Sequence, residues 1–192
     1  MYKNILTKKF FKDNLVKDLT VQQFVYAQIE TPELSQIASD LVRRFDNRAD
    51  EERERLLRES DPDILLKMLR GKSDPINHHI VFQKVLEQEE VIIPRILGML
   101  KTSLNVVFIE NAVKILANTG KDYLEDLLKI LDEIRSPYAL SLTCITLGFI
   151  ADEDAIPVLL KKYNELKNLY PGETYEQGPL YGLIKLNERF YN

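Results

Sequence analysis

Tryptophan is absent from this chain of 192 residues, and cysteine occurs only once. A single cysteine, Cys144, excludes an intramolecular disulfide and a zinc site built from cysteine thiolates. Because Cys144 stands in the apolar stretch 142–145, we expect it to be a small buried core residue. With 7 glycines and 8 prolines, the sequence also lacks a long flexible or low-complexity tract.

Long apolar runs and an excess of positive charge are missing as well. No window reaches the roughly 20 apolar residues that cross a bilayer. Lys8 and Lys9 follow the first residues too soon for a signal peptide, so we expect a soluble cytoplasmic protein with no membrane partner. Acidic residues outnumber basic residues 30 to 26, for a net charge of −4, which argues against nucleic acid as the partner.

The residue patterns of common catalytic sites are not found either. The sequence contains no glycine-rich phosphate loop, no Gly-x-Ser-x-Gly elbow and no cysteine beside a histidine. His78 and His79 are adjacent, and neighbours on a helix point about 100° apart, so they cannot bind one metal ion from the same face. We expect no catalytic residue, no metal and no cofactor, which favours a protein that is not an enzyme.

What the chain does contain is a repeated apolar pattern. Residues 93–97 (IPRIL) and 156–160 (IPVLL) are near copies, and residues 124–128 (LEDLL) lie midway between them with similar apolar positions. The apolar pair Leu65-Leu66 precedes the pair Ile96-Leu97 of the first copy by 31 residues. Such a period is typical of helical repeats, whose units bury their apolar faces only against each other. The pattern predicts an all-α fold.

Residues 61–192 are expected to form one continuous array of about four helical hairpins. Asp61-Pro62 has the residue types that start a helix, an N-cap followed by proline at the first helical position, and the third hairpin runs through Arg135-Ser136-Pro137 between its two apolar stretches. Two small residues, Ala117 and Gly148, recur at the repeat spacing. We expect them where two helices approach closely.

Residues 1–60 are expected to form an N-terminal helical cap. Thr20 predicts the start of one helix, and apolar spacing predicts another over 32–45. The charged stretch 46–60 is predicted to be a solvated helix anchored by Leu56-Leu57, with an acidic binding surface as the alternative.

The first 20 residues are basic and aromatic, with five lysines around Phe10 and Phe11. A segment of this composition can contact an anionic membrane or partner. The interpretation that we favour is that the two phenylalanines dock on the first helices of the array.

Residues 147–159 (LGFIADEDAIPVL) resemble a HEAT repeat of the short form found in phycobilisome-lyase-like proteins. That form pairs a Leu-Gly turn and an acidic linker with an Ala-Ile-Pro-x-Leu helix start. The acids at 152–154 suit a helix N-terminus through the helix dipole, and Pro157 stands where a missing amide matters little. The resemblance covers residues 61–191 and implies a right-handed α-solenoid with extra N-terminal helices. Proteins of this family usually act as scaffolds or bind peptides.

Two enzyme classes built on similar repeats do not fit this sequence. Metal-dependent HEAT enzymes carry His-Glu pairs on successive units, and this chain has none. HEAT-like DNA glycosylases depend on a basic concave face with aromatic residues that include tryptophan. Here residues 61–192 contain more acids than bases and no tryptophan.

The polar residues of the second helix in each hairpin form the candidate binding surface, because these helices line the concave face of a solenoid. Tyrosine, asparagine and glutamine suit a polar recognition groove, and ordinary solvation is the alternative. The partner-binding residues that we predict are Gln83, Lys84, Glu110, Asn111, Lys114, Asn118, Tyr138, Ser141, Tyr181 and Lys185.

The expected partner is a protein or a peptide. The alternative function is an enzyme or small-ligand binder with a polar pocket at Tyr175, Gln177 and Tyr181. Self-association into a homodimer through an exposed end of the array is a third hypothesis. The C-terminal tyrosines, which also include Tyr170 and Tyr191, form either a contact patch or a terminal cap.

Overall fold

The computed structural model describes residues 2–32, 49–72, 75–119 and 122–191 of the chain. Within these ranges all regular structure is helical, so the predicted all-α class is confirmed. The α-helices are α1 (Lys8–Asn14), α2 (Val21–Glu30), α3 (Ala49–Arg58), α4 (Pro62–Met68), α5 (Pro75–Leu86), α6 (Glu89–Leu100), α7 (Val106–Leu116), α8 (Leu124–Ile130), α9 (Pro137–Ile150), α10 (Ile156–Leu169) and α11 (Gln177–Tyr191). Single 3-10 turns occur at Tyr2–Asn4, Leu131–Glu133 and Glu153–Ala155. None of the described helices is both long and apolar enough to cross a membrane.

The local sequence sets several of the helix starts. An N-cap side chain accepts a hydrogen bond from a first-turn backbone amide at Thr7, Thr20, Asp61, Asn105 and Ser136. Pro62 and Pro137 occupy the start of their helices, where the missing N–H is not needed. The predicted helix starts at Thr20 and Asp61 are therefore confirmed, and Ser136 caps a helix in the same way.

The helices contact one another in two series. In the first series α6 contacts both α4 and α8. In the second series each of α3, α5, α7, α9 and α11 contacts the next. The two series are joined by contacts within the pairs α4–α5, α6–α7 and α10–α11, which correspond to three of the predicted hairpins. We call α5, α7, α9 and α11 the second helices.

One apolar cluster extends from Leu6 to Leu186 and forms the core. The repeated apolar positions lie within it, each 0% exposed: Ile93, Ile96, Leu127, Ile156 and Leu159. Helix α9 is buried on nearly every side, and most of its residues are apolar, as expected of a helix without a solvated face. The repeat seen in the sequence therefore builds the core.

Helix α3 lies in the charged stretch 46–60. Glu54 and Arg58 form an exposed ion pair of 3.2 Å, as the charge pattern predicted. Leu56 is 3% exposed, whereas Leu57 is 52% exposed. Neighbouring residues on a helix point about 100° apart, so only Leu56 anchors this helix. The helix predicted over 32–45 lies outside the described residues.

Helices α9 and α11 pack closely because glycines face each other across their contact. A β-carbon added at Gly148 would lie 2.6 Å from the carbonyl oxygen of Gly182, and one added at Gly178 would overlap the carbonyl oxygen of Ser141. Gly148 was predicted to allow a close approach, whereas Ala117 is a partly exposed C-cap residue. Gly178 and Gly182 were not predicted to have this role.

The N-terminal helices do not lie where the sequence led us to expect. Helix α1 contacts α11, and α2 contacts α7, α9 and α11. The Phe10 ring packs edge-on against Tyr163 of α10, with centroids 6.1 Å apart. The aromatic pair was expected on the first helices of the array. Instead, the pair lies at the last hairpin of the array, where the Phe10 ring contacts Tyr163.

Candidate binding surface of the second helices

Nine of the ten predicted partner-binding residues belong to the second helices, and Asn118 lies just beyond the end of α7; we call the surface of these helices the second-helix face. Residues 8–30, which we call the N-terminal arm, lie across its downstream part on α9 and α11, and α2 also contacts α7. The upstream part comprises α5, α7 and the start of α9. The two parts differ in what their side chains contact.

Gln177 holds the main chain of the arm through both polar atoms of its amide. Its Nε2 donates to the carbonyl oxygen of Asn14 at 3.1 Å, and its Oε1 accepts from the amide of Val16 at 3.2 Å. Gln177 itself is 0% exposed. The intervening Leu15 has the extended conformation, with φ −71° and ψ 130°. Because both contacts are to backbone, this interaction recognises an extended chain rather than particular side chains.

The side chain of Asn14 strengthens this contact. Its Oδ1 accepts from the hydroxyl of Tyr163 at 2.6 Å and from Nζ of Lys167 at 3.3 Å. Lys167 also donates to the Tyr163 hydroxyl at 2.8 Å. The end of α1 is thus fixed by polar groups of α10 and by the Gln177 amide.

Helix α2 is held on the downstream part by three contacts at successive turns. Gln22 Nε2 donates to Ser141 Oγ at 3.3 Å. The Tyr26 ring packs on Tyr181, with centroids 5.1 Å apart. At the end of the helix, Nζ of Lys185 donates to both carboxylate oxygens of Glu30, at 2.5 and 2.7 Å. We call Ser141, Tyr163, Gln177, Tyr181 and Lys185 the arm site.

Tyr26 and Lys185 make further contacts with neighbouring residues. The Tyr26 ring also packs on Phe149 at 5.5 Å, and Lys185 lies over the Phe149 ring at 5.1 Å. The Tyr26 hydroxyl donates to Glu188 at 3.3 Å. Burial raises the pKa of Tyr26, and the carboxylates of Glu188 and Glu30 raise it further, so the hydroxyl remains a hydrogen-bond donor.

The upstream part has a polar cluster centred on α7. The Tyr138 hydroxyl donates to Glu110 Oε1 at 2.7 Å. Burial and the Glu110 carboxylate raise the pKa of Tyr138, so this hydroxyl also stays protonated. Lys114, one turn beyond Glu110, is half-buried, and burial lowers its pKa although Glu110 opposes that shift.

The ammonium group of Lys114 is the unusual feature of this cluster. Among the described residues, none forms a hydrogen bond or an ion pair with its Nζ. Withdrawing a cation from water is unfavourable unless a hydrogen-bonded partner compensates. Lys114 is therefore equipped to bind an anionic or carbonyl group that is not part of the described chain.

Asn111 was predicted to contact a partner, but its side chain is 4% exposed and is used inside the protein. Its Nδ2 donates to the Leu69 carbonyl at 3.0 Å, and its Oδ1 lies 2.7 Å from Nε2 of His78. The Asn111 oxygen accepts in this geometry, so His78 carries its proton on Nε2. Burial lowers the pKa of His78, an effect that outweighs the hydrogen bond to Asn111.

Of the three remaining predicted residues, Gln83 and Asn118 are exposed and Lys84 is half-buried. Lys84 pairs with Glu87 at 3.0 Å. The Asn118 amide donates to the Lys114 carbonyl of its own helix at 2.7 Å. The ten residues thus divide into an arm-contacting group (Ser141, Tyr181 and Lys185), an upstream cluster (Glu110, Lys114 and Tyr138), the interior Asn111 and these three remaining residues.

The residues proposed for a small-molecule pocket are occupied by other contacts. Gln177 and Tyr181 bind the arm, as described above, and the Tyr175 carbonyl accepts from Ser141 Oγ at 2.5 Å. The Tyr175 ring packs edge-on against Tyr170 at 5.5 Å, and the Tyr191 hydroxyl donates to Glu153 at 2.8 Å. The C-terminal tyrosines therefore belong to three separate contacts and do not form one patch.

Metal and thiol chemistry receive no support from the described residues. No group of three or more histidine, cysteine, aspartate or glutamate side chains could hold a metal ion in the part of the chain that the structure describes. Cys144 is buried, and burial raises the pKa of its thiol to about 12. A thiol in this state is a poor nucleophile at neutral pH.

Comparison with protein-family models, with characterised proteins and with solved structures finds no match to this chain. The resemblance to short HEAT repeats therefore depends on the residues of the sequence alone. What the described geometry can do is hold a polypeptide segment: a buried amide binds its main chain, while an aromatic ring and an ammonium group bind its side chains.

Proposed function

We propose that this protein is a non-enzymatic helical-repeat scaffold that binds a protein or peptide through its second-helix face. The repeats are short HEAT-like hairpins that form a right-handed α-solenoid with the second helices on its concave side. Successive contacts along α3, α5, α7, α9 and α11 support this arrangement. The cytoplasmic location and the homodimer remain predictions from the sequence.

The observation that carries the proposal is the hold of Gln177 on the arm. A side chain that binds backbone at residues 14 and 16 together recognises a polypeptide as such. The downstream part of the face thus already binds a segment of this chain. The upstream cluster also has hydrogen-bonding and aromatic side chains. Lys114 has an uncompensated donor there, while Glu110 and Tyr138 provide an acceptor and an aromatic surface.

The proposal is tested by selecting peptides from a random display library against the full-length protein. The affinities of selected peptides are then measured with Lys114→Glu and Tyr138→Ala variants. We expect the Lys114→Glu change to weaken binding roughly 10- to 100-fold, since a hydrogen bond to a charged group contributes about 1.5–3 kcal/mol.

Lys67→Glu is the matched control, because Lys67 is an exposed residue of α4 in the first series. It makes the same charge change away from the second-helix face and should leave affinity unchanged. Peptides that bind both Lys114→Glu and Tyr138→Ala as tightly as they bind the wild type would contradict the assignment of the face. Failure to enrich any peptide would contradict the binding function itself.

A further inference from the structure

The arm site differs from a permanent core contact in the chemistry of its lining. It consists of a serine, a glutamine, a lysine and two tyrosines, all of which are well hydrated when exposed to water. By contrast, α9 and α11 meet each other through glycines at van der Waals distance, which leaves no room for solvent. Uncovering the arm site exposes its polar groups together with the Phe149 ring and the apolar contact of Val25.

The arm also fits its site imperfectly. Val25 is the only apolar residue of α2 that is fully buried. The buried side-chain oxygens of Gln22 and Gln28 have no hydrogen-bond partner among the described residues, a condition that disfavours the docked state. On the outer side of the arm Leu19 and Phe24 are 88% and 59% exposed. The arm is therefore held by a few polar contacts, by the burial of Val25 and by three aromatic contacts, those of Phe10 with Tyr163 and of Tyr26 with Tyr181 and Phe149.

A short helix of this kind gains little from its own backbone. Isolated helices shorter than roughly 12–15 residues are marginal in water, and α2 has 10 residues. Its order therefore depends on the contacts of Gln22, Tyr26 and Glu30, which follow one another at intervals of one helical turn. Another helix with the same contact groups and without the two unsatisfied amide oxygens would occupy the site more favourably.

We propose that the arm is a displaceable occupant of the arm site, and that the segment replacing it is an amphipathic helix of a partner protein. The partner helix presents an aromatic ring to Tyr181 and Phe149 and, one turn later, a carboxylate to Lys185. The extended residues before it bind Gln177 through their main chain. This inference rests on the proposed function and specifies both the chemistry of the partner and its competitor.

Competition sets the expected size of the effect. A ligand whose site is free in only a fraction of molecules binds with an affinity reduced by that fraction. If the arm is docked in about nine molecules of ten, removing it from competition raises the apparent affinity about tenfold. A larger docked fraction gives a proportionally larger gain.

The experiment uses the full-length protein and a fluorescein-labelled synthetic peptide of residues 8–31 as the probe. The released variant is Tyr26→Ala/Glu30→Lys, which removes arm contacts but leaves the arm site unchanged. Fluorescence anisotropy should show the probe binding the released variant at least about tenfold more tightly than the wild type. Glu173→Lys is the matched control, because Glu173 is exposed and lies outside the arm, and it should behave as the wild type.

A second probe tests the chemistry of recognition. The same peptide with Glu30→Lys should bind the released variant about tenfold or more weakly than the unchanged peptide, since it places a cation beside Lys185. A Gln28→Leu peptide should bind more tightly, because it buries no unpaired amide oxygen. Equal binding of all three peptides would overturn the assigned contacts.

Hydrogen exchange of the unmodified protein shows whether the arm leaves its site. Amides of residues 21–30 should exchange at least about 100-fold faster than amides of residues 142–150, because the arm opens locally while α9 opens only with the core. Exchange of both segments at one common rate would make the arm a permanent part of the fold and would overturn the inference.

The failures of the two proposals are distinguishable. If selected library peptides depend on Lys114 but the arm peptide does not bind the released variant, the displaceable arm is refuted and the scaffold function is kept. If the arm peptide binds and no library peptide depends on Lys114 or Tyr138, the upstream cluster loses its assigned function.

Discussion

Replacing Gly148 with alanine tests how the second-helix face is positioned. The new β-carbon would lie 2.6 Å from the carbonyl oxygen of Gly182, 2.7 Å from its α-carbon and 3.1 Å from its carbonyl carbon. Ordinary contacts between carbon atoms are about 3.5–4.0 Å, so α11 must move by roughly 1 Å. The obstacle is backbone, which cannot rotate away as a flexible side chain can.

The expected loss of stability follows from two opposing effects. Overpacking of this kind typically costs about 1–3 kcal/mol, and the absence of a movable side chain favours the upper end. Alanine regains up to about 1 kcal/mol through its higher helix propensity. We therefore expect the free energy of unfolding to fall by about 2 kcal/mol.

Urea denaturation followed by circular dichroism at 222 nm measures this change. A thermal melt gives a second reading: in a chain of this size 1 kcal/mol corresponds to about 2–4 °C in Tm, so the Tm should fall by about 4–8 °C. Gly98→Ala is the matched control, because a β-carbon added at Gly98 meets no atom within 4 Å and the residue is exposed in α6. It should gain about 0.5–1 kcal/mol. A Gly148→Ala protein as stable as the Gly98→Ala protein would refute the close packing of α9 and α11.

Three other predictions concern the upstream part of the face. Asn111→Ala should lower the free energy of unfolding by about 2–3 kcal/mol, because it leaves the buried Leu69 carbonyl and the half-buried His78 imidazole unpaired. The exposed Asn118→Ala should change it by less than about 0.5 kcal/mol in the same urea assay. The pKa of His78 is lower in the folded protein than its ordinary value, so the free energy of unfolding should be highest above pH 7 and should decline as the pH falls through 6. His78→Gln should reduce this decline. If the decline is the same in the variant, other groups cause it. Lys114→Met should stabilise the protein by roughly 1 kcal/mol at neutral pH, because it removes a half-buried cation whose desolvation Glu110 only partly offsets. It should also weaken the binding of selected peptides. Loss of stability instead would show that the ammonium group is already compensated.

Much of the fold was predictable from local sequence. The apolar period correctly identified Ile96 and Leu159 as core residues, because helical units with one apolar stripe must bury it against each other. Asp61-Pro62 marked a helix start, because the Asp61 side chain satisfies a first-turn amide and Pro62 lacks one. These features involve neighbours in the sequence and therefore need no knowledge of the tertiary structure.

The candidate site was predicted less completely. The second-helix rule selected Lys114 and Tyr181, which are partly exposed, together with Asn111, which is interior, and nothing in the sequence distinguished them. An asparagine side chain on a helix is buried only where groups from elsewhere in the fold satisfy its hydrogen bonds. For Asn111 these groups are a carbonyl and an imidazole. Those partners, Leu69 and His78, are 42 and 33 residues away.

Residues within one helical turn therefore determined the all-α class, the helix starts and the repeated core, because spacing, capping and proline geometry act over a few residues. Only the tertiary structure decided that the N-terminal arm crosses to the last hairpin, where Asn14 meets Gln177 across 163 residues. It also decided that glycines at 148, 178 and 182 bring two helices into contact. The physical reason is that such contacts depend on which surfaces remain complementary after the core has formed, and a linear pattern does not contain that information.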